Sequence, residues 1–393
     1  MTMTDLELYI HIPFCVRKCL YCDFVSFPDM QDRADEYLDA LKREIRSCAP
    51  DYADRKITSI YIGGGTPSIL TCRQISMLAD CLYENFNISD THEKRKGLFL
   101  QKKVRPETEF TIECNPGTLD SEKLKTYRKL GINRLSIGLQ STDENDLRTL
   151  GRIHSFEDFE RSFKQAREQG FDNINIDLMQ SIPGQTLLSW KRVMAAACTY
   201  RPEHISAYSL IIEEGTEFER LYQEGKLQLP NEDEDRSIYH YTKEFLGKTG
   251  YKRYEISNYA LEGFECRHNK GYWQRADYLG LGLNASSMVN NRRWKNSSIL
   301  DRYLSCPEGV KEEYSELSRK EQMEEFVFLG LRMTEGISKN KFLDTFGQDF
   351  DMTFGDQIRK FTGLRLLEED GDTVRFTDAG LDVSNQVLSQ LLL

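Results

Sequence analysis

Positive charge is scarce in this 393-residue sequence: 52 Lys and Arg stand against 63 Asp and Glu, for a net charge of −11. A surface of that sign does not coat nucleic acid or grip a membrane through basic clusters. Long apolar runs are missing too. Nothing approaches the roughly 20 apolar residues of a membrane-spanning helix. The opening "MTMTDLELYIHIP" has no basic segment followed by an apolar one, so no signal or transit peptide is expected. These absences make a soluble, cytoplasmic protein the expectation. Cysteine is sparse, ten in all, and seven are scattered. That favours a reduced compartment over a disulfide framework, with the scattered seven buried as small apolar residues. Cys266 is kept open as a possible ligand.

The remaining three cysteines are clustered. "CVRKCLYC" places Cys15, Cys19 and Cys22 at C-x3-C-x2-C, and what this loop lacks is a fourth thiol. Phe24 stands two residues after the third. Thiolates select zinc or iron–sulfur clusters. A structural zinc site wants four ligands at close spacing, and His11 could complete a Cys3His set. A [4Fe–4S] cluster normally takes four cysteines. Held by three, it keeps one iron open for a small chelating molecule, such as an amino acid with adjacent amino and carboxylate groups.

Strand patterns alternate with helical ones through most of the chain. "ELYIHIP", "KITSIYIGG", "EFTIECNP", "RLSIGLQS", "NINIDLMQSIP" and "HISAYSLII" read as strands, each followed by a helical stretch. Such βαβ repetition means a mostly parallel sheet, and the Ile-rich strands suit burial on both faces. Six units are fewer than the eight of a closed barrel. The expected fold is α/β, a partial (β/α)6 barrel over residues 1–230. An extension over 231–314 follows, with "PNEDED" as an acidic linker before the helix "RSIYHYTKEFLGKTG". A flat doubly wound sheet is the alternative. The basic stretch 91–107 reads as a surface insertion. Residues 315–393 read as helices followed by a hairpin around Gly371, resembling a winged-helix domain. Its wing "LEEDGD" would repel phosphate, so packing or partner contact is expected there.

The cysteine loop directly after a first barrel strand resembles the radical SAM superfamily. The resemblance implies a [4Fe–4S] cluster on Cys15, Cys19 and Cys22. Its open iron would bind S-adenosylmethionine, which the reduced cluster cleaves to a 5′-deoxyadenosyl radical. It also implies that "GGGTPS", with Gly64, Gly65 and Thr66, holds the amino group of S-adenosylmethionine. Glu113, Gln140, Arg152 and Asp177 would contact that molecule, with Tyr9 and Tyr21 packing nearby. No catalytic residue is assigned.

"YIHIPFC", "CDF", "GGGTPS", "RLSIGLQS", "IPGQT", "SAYSLIIEEGT" and "YEISNYA" together resemble the group of oxygen-independent coproporphyrinogen oxidases and HemW-type haem chaperones, over nearly the whole chain. The oxidase branch has a cysteine where Phe24 stands. The chaperone branch carries H-N-x-x-Y-W, here "HNKGYW". The resemblance implies that His268, Tyr272 and Trp273 meet haem, and imidazole and flat aromatic faces suit that task. Without it, a structural loop with the aromatics in the core would be preferred. Two departures stand near the expected mouth: Asn284 and Ser286 in "GLGLNASS" replace a Gly and a His. Gln180 and Ser181 replace Tyr-Gly.

The function expected is binding of cluster, S-adenosylmethionine and haem, and delivery of haem to apoproteins, with respiratory proteins as one candidate class. Whether the chain turns over a substrate is left open. Rivals are a coproporphyrinogen III dehydrogenase, a radical haem-degrading methyltransferase and a zinc-bound scaffold.

Overall fold

A computed structural model describes residues 4–89, 107–309 and 311–393. The insertion expected at 91–107 lies outside them apart from Glu107. Strands β1 (Thr4–Ile12), β2 (Arg55–Gly64), β3 (Glu109–Cys114), β4 (Arg134–Gln140), β5 (Ile174–Gln180) and β6 (His204–Ser209) pair in parallel in sequence order. Helices α1 (Ala34–Cys48), α2 (Cys72–Asn85), α3 (Ser121–Lys129), α4 (Phe156–Glu168) and α5 (Leu187–Cys198) make the crossovers. After β6 comes α6 (Glu232–Lys248). It starts inside the expected linker: Asn231 caps it, and four acidic residues fill its first turn, where the helix dipole favours them.

The sheet grows beyond the six units at both ends. β7 (Asn258–Ala260) runs antiparallel to β6, and Lys252–Arg253 pairs outside it. After helix α7 (Arg267–Trp273), β8 (Tyr278–Leu281) joins the free edge of β1 in parallel. β9 (Ser286–Val289), β10 (Arg292–Asn296) and β11 (Lys311–Glu316) follow antiparallel. The two end strands do not pair, so the barrel is open.

Both strand faces are buried, as Ile-rich parallel strands imply, but they differ in chemistry. Leu8, Ile10, Ile60, Ile62, Ile112 and Ile137 form the face under the helices. The alternate residues are polar: Glu7, Ser59, Thr111, Arg134, Asn175 and His204 are all buried. Some of them pair, and others, Glu7 Oε2, Thr111 Oγ1 and Arg134 Nε, are buried without a hydrogen-bond partner. His204 Nδ1 meets Asn175 Oδ1 at 2.6 Å, and Asn175 donates to Asp177 at 2.8 Å.

The C-terminal unit has its own core. Helices α8 (Arg319–Gly330), α9 (Lys339–Phe346) and α10 (Phe350–Gly363) surround Phe342, Phe350 and Phe354. A small sheet of β12 (Ile337–Ser338), β13 (Leu367–Asp370) and β14 (Thr373–Phe376) closes it. Buried Glu325 anchors the unit by accepting from Arg275 at 3.1 Å and Arg293 at 2.6 Å. Thr334 N donates to Tyr254 O at 3.0 Å.

Glu44 on α1 ties the extension to the barrel. It accepts from Tyr303 Oη at 2.6 Å, Gly282 N at 2.8 Å and Asn296 Nδ2 at 2.5 Å. Burial pushes its carboxyl up to about 7, against these donors. The folded chain therefore holds a proton that the unfolded chain releases near the ordinary value. This group's contribution to stability falls as pH rises from about 4.5 to 7. Buried His11, His204 and His268, all held low, contribute with the opposite sign, so the isolating measurement is a difference. Glu44→Gln is expected to flatten the decline of melting temperature between those pH values relative to wild type. Parallel wild-type and variant curves would contradict it.

Candidate functional site

Every loop that carries the expected chemistry leaves the C-terminal edge of the parallel strands. β1 runs directly into the cysteine loop. The glycine turn after β2 closes over it, with Gly65 N donating to Ile12 O at 2.8 Å and Thr66 N to Phe14 O at 2.7 Å. A Cβ at Gly65 would lie 2.6 Å from Phe14 O and 3.0 Å from Cys15 Sγ, so the backbone must approach bare. Gly64 has φ +111°, and a Cβ there would strike the His11 ring at 2.6 Å.

Cys15, Cys19 and Cys22 are free thiols. A line of hydrogen bonds joins two of them. Cys15 Sγ accepts from Thr66 Oγ1 at 3.5 Å, and Thr66 Oγ1 accepts from Asn115 Nδ2 at 3.0 Å. Arg152 Nη2 donates to Asn115 Oδ1 at 2.8 Å while Nη1 reaches Cys19 Sγ at 3.4 Å. A hydroxyl and a guanidinium are thus aimed at two of the sulfurs. Burial pushes the Cys22 thiol up to about 11, opposed by a bond from the Phe24 backbone. The cleft above this line is lined by Val16, Cys19, Thr66, Asn115, Arg152 and Ile153. Sequence reading missed Asn115, two residues past Glu113. Its place in "IECNP" at a strand end was the available signal.

The donor set fits a cluster better than a single ion. Among the described residues no three His, Cys, Asp or Glu side chains gather around one ion position. The zinc alternative also loses its histidine: Tyr9 Oη meets His11 Nδ1 at 3.0 Å, and His11 Nε2 donates to Val25 O at 2.9 Å. Burial holds this imidazole neutral, down at about 4. In a [4Fe–4S] cluster each thiolate takes a different iron, and three thiols from one loop can supply three of the four.

Not all the predicted S-adenosylmethionine contacts lie at one place. Gln140 Nε2, Arg152 Nη2 and Asn115 Oδ1 meet over Gly138. Glu113 sits under the glycine turn, accepting from Gly64 N at 3.1 Å and Tyr61 Oη at 2.9 Å. Burial and then Asp177 push its carboxyl up to about 7. Asp177 lies lower in the barrel, accepting from Ser136 at 3.0 Å and Asn175 at 2.8 Å. Tyr21 packs against Phe218, with ring centroids 6.3 Å apart. Tyr9 stacks on Tyr61 inside the barrel, with its hydroxyl on His11 Nδ1. The two departures have a backbone consequence: Asn284 (φ 58°) and Ser181 (φ 61°) adopt left-handed conformations that glycine takes without strain.

"HNKGYW", expected to meet haem, is placed away from these loops. The segment forms the short buried helix α7. Glu109 on β3 supplies its cap, accepting from Arg267 N at 3.0 Å and Cys266 Sγ at 3.3 Å. Gly271 lets Glu7 pass where a Cβ would come within 2.1 Å. His268 is 1% exposed. Its Nδ1 meets Ser59 Oγ at 2.8 Å, its Nε2 meets Tyr272 Oη at 2.9 Å, and its ring stacks on Tyr61 at 5.1 Å. Glu109 opens β3 and Ser59 pairs with it midway along β2, so this helix packs against the barrel's inner face on the side away from the cysteine loop. Trp273 packs with Phe264 beside Tyr254 and Met333. Neither His268 nor fully buried Cys266 presents a free ligand atom to an iron.

An open parallel barrel with three thiols and a glycine turn at its mouth defines a radical SAM protein. The Radical SAM superfamily matches residues 9–197, and the HemN C-terminal domain matches residues 317–383. The chain belongs to the heme chaperone HemW family: it is 35% identical to the Lactococcus lactis heme chaperone HemW over 386 residues, 98% of this chain and 97% of that one. It is 34% identical to the Bacillus subtilis heme chaperone HemW, covering 98% of both. In structure it resembles the radical SAM enzyme coproporphyrinogen III oxidase (HemN) from Escherichia coli. The TM-score is 0.84 at 25% identity, covering 100% of this chain and 91% of that one. Among the described residues no helix is long and apolar enough to cross a membrane.

Proposed function

We propose that the chain binds haem and delivers it to apoproteins, with a [4Fe–4S] cluster on Cys15, Cys19 and Cys22. The observation that carries this reading is full-length kinship to proteins named for haem chaperoning, joined to Phe24, 57% exposed where the oxidase branch has another cysteine. The bound cluster would supply one-electron reduction to S-adenosylmethionine on its open iron. The protein's own part is to hold that pair. Thr66 and Arg152 steady two of the sulfurs, Asn115 links them, and the glycine turn offers bare backbone to the ligand's amino end. Gln140 is placed with Arg152 to meet its polar groups. A soluble protein of the cytoplasm fits the composition.

The second reading is a coproporphyrinogen dehydrogenase, favoured by the structural likeness to that oxidase. The two part in an anaerobic assay of reconstituted protein with reductant, S-adenosylmethionine and coproporphyrinogen. The chaperone reading expects no accumulation of protoporphyrinogen. Many turnovers per chain would sink it.

A further inference from the structure

The line of hydrogen bonds through Asn115 has a direction. Arg152 can only donate, so the end of the Asn115 amide that meets its Nη2 at 2.8 Å is the oxygen. The opposite end, Nδ2, then donates to Thr66 Oγ1 at 3.0 Å. A threonine hydroxyl has a single hydrogen. With its oxygen accepting from Asn115, that hydrogen goes to the other partner of the hydroxyl, Cys15 Sγ at 3.5 Å.

The support of the amide is rigid. Asn115 N donates to Ser68 Oγ at 3.1 Å, and Asn115 O accepts from Thr118 Oγ1 at 2.7 Å. Ser68 and Thr118 share a further bond at 2.6 Å. Arg152 Nη2 also donates to Gly138 O at 2.9 Å, which pins the guanidinium against the amide. Thr66 is only 4% exposed, so its hydroxyl is largely shielded from water. Turning the amide over would set an N–H against the guanidinium, so the whole line runs one way.

We propose that Asn115 is a positioning residue that aims the Thr66 proton at the Cys15 sulfur and so raises the reduction potential of the cluster. The proposal rests on the cluster assignment made above. A hydrogen bond donated to a ligating sulfur draws on the extra negative charge of the reduced cluster and favours that form. The place calls for an acceptor toward Arg152 and a donor toward Thr66, and asparagine carries both on one short side chain. Aspartate has nearly the same shape but accepts at both ends. It would keep Arg152, take the Thr66 hydrogen for itself and turn it away from sulfur.

Asn115→Asp, Thr66→Val, Thr66→Ser and the double variant of the first two test it. Each is reconstituted anaerobically, checked for iron and sulfide, and titrated with dithionite without S-adenosylmethionine while the electron paramagnetic resonance signal of the reduced cluster is followed. Thr66→Val removes the bond without adding charge and is expected to lower the midpoint potential, whereas Thr66→Ser keeps the hydroxyl and the wild-type value. Asn115→Asp is expected to lower the potential further, since it withdraws the proton and adds a negative charge. In the Thr66→Val background the same Asp is expected to shift it less, because no proton is left to turn. Equal shifts in both backgrounds, a wild-type potential in Thr66→Val, or a shift in Thr66→Ser as large as in Thr66→Val would overturn the role. Loss of the cluster from any of these variants would overturn it too, since the role is to tune and not to hold. Wild-type protein that assembles no iron–sulfur cluster would overturn the cluster assignment itself.

Discussion

Replacing Cys15, Cys19 or Cys22 singly with Ala is expected to abolish the visible thiolate–iron absorbance of anaerobically reconstituted protein while leaving the fold. The three thiols share the one loop that leaves β1. Cys48, Cys81, Cys198 and Cys306 serve the outer helices or the extension. Loss of one of three ligands leaves a second iron exposed, so the effect is close to all-or-none. The fold survives because the parallel core of Leu8, Ile10, Ile60, Ile62, Ile112 and Ile137 owes nothing to that loop. Far-ultraviolet circular dichroism and iron and sulfide content check the two halves. An equal loss of cluster in Cys72→Ala or Cys114→Ala would contradict the three-ligand assignment.

His268→Ala is expected to cost about 2–4 kcal/mol of stability and to leave the haem spectrum as it is in wild type. The substitution strands the Ser59 and Tyr272 hydroxyls at the barrel's inner face and removes the ring stacked on Tyr61. Chemical denaturation measures the first effect and a Soret titration the second. A variant as stable as wild type with a shifted Soret band would restore the imidazole to the iron.

The contrast between these two sites shows what a sequence makes legible. The cysteine loop is local: its spacing within eight residues carries the chemistry, and β1 delivers it to the mouth. The partial barrel was equally readable, because strand and helix periods repeat unit after unit. The polar inner face was not. Apolar alternation marks Leu8 and Ile10, but nothing in the pattern says that Asn175 bonds His204 and Ser136 across different strands. The burial of "HNKGYW" was illegible for the same reason. His268 finds Ser59, 209 positions away, and Glu109 caps its helix from another strand, so the burial is decided by tertiary partners. Helix α6 was cut short because its acidic first turn resembles a linker until Asn231 is seen as a cap. Asn115 escaped because an amide beside a carboxylate carries no signal until Thr66 and Arg152 flank it.

The most direct test of the haem-chaperone account is anaerobic titration of haem into reconstituted wild-type protein, followed by addition of reductant and S-adenosylmethionine. The account predicts a saturating Soret band at equimolar haem, with the cluster absorbance retained and the haem intact afterwards. Absence of saturable binding, or bleaching of the Soret band once reductant and S-adenosylmethionine are present, would contradict it.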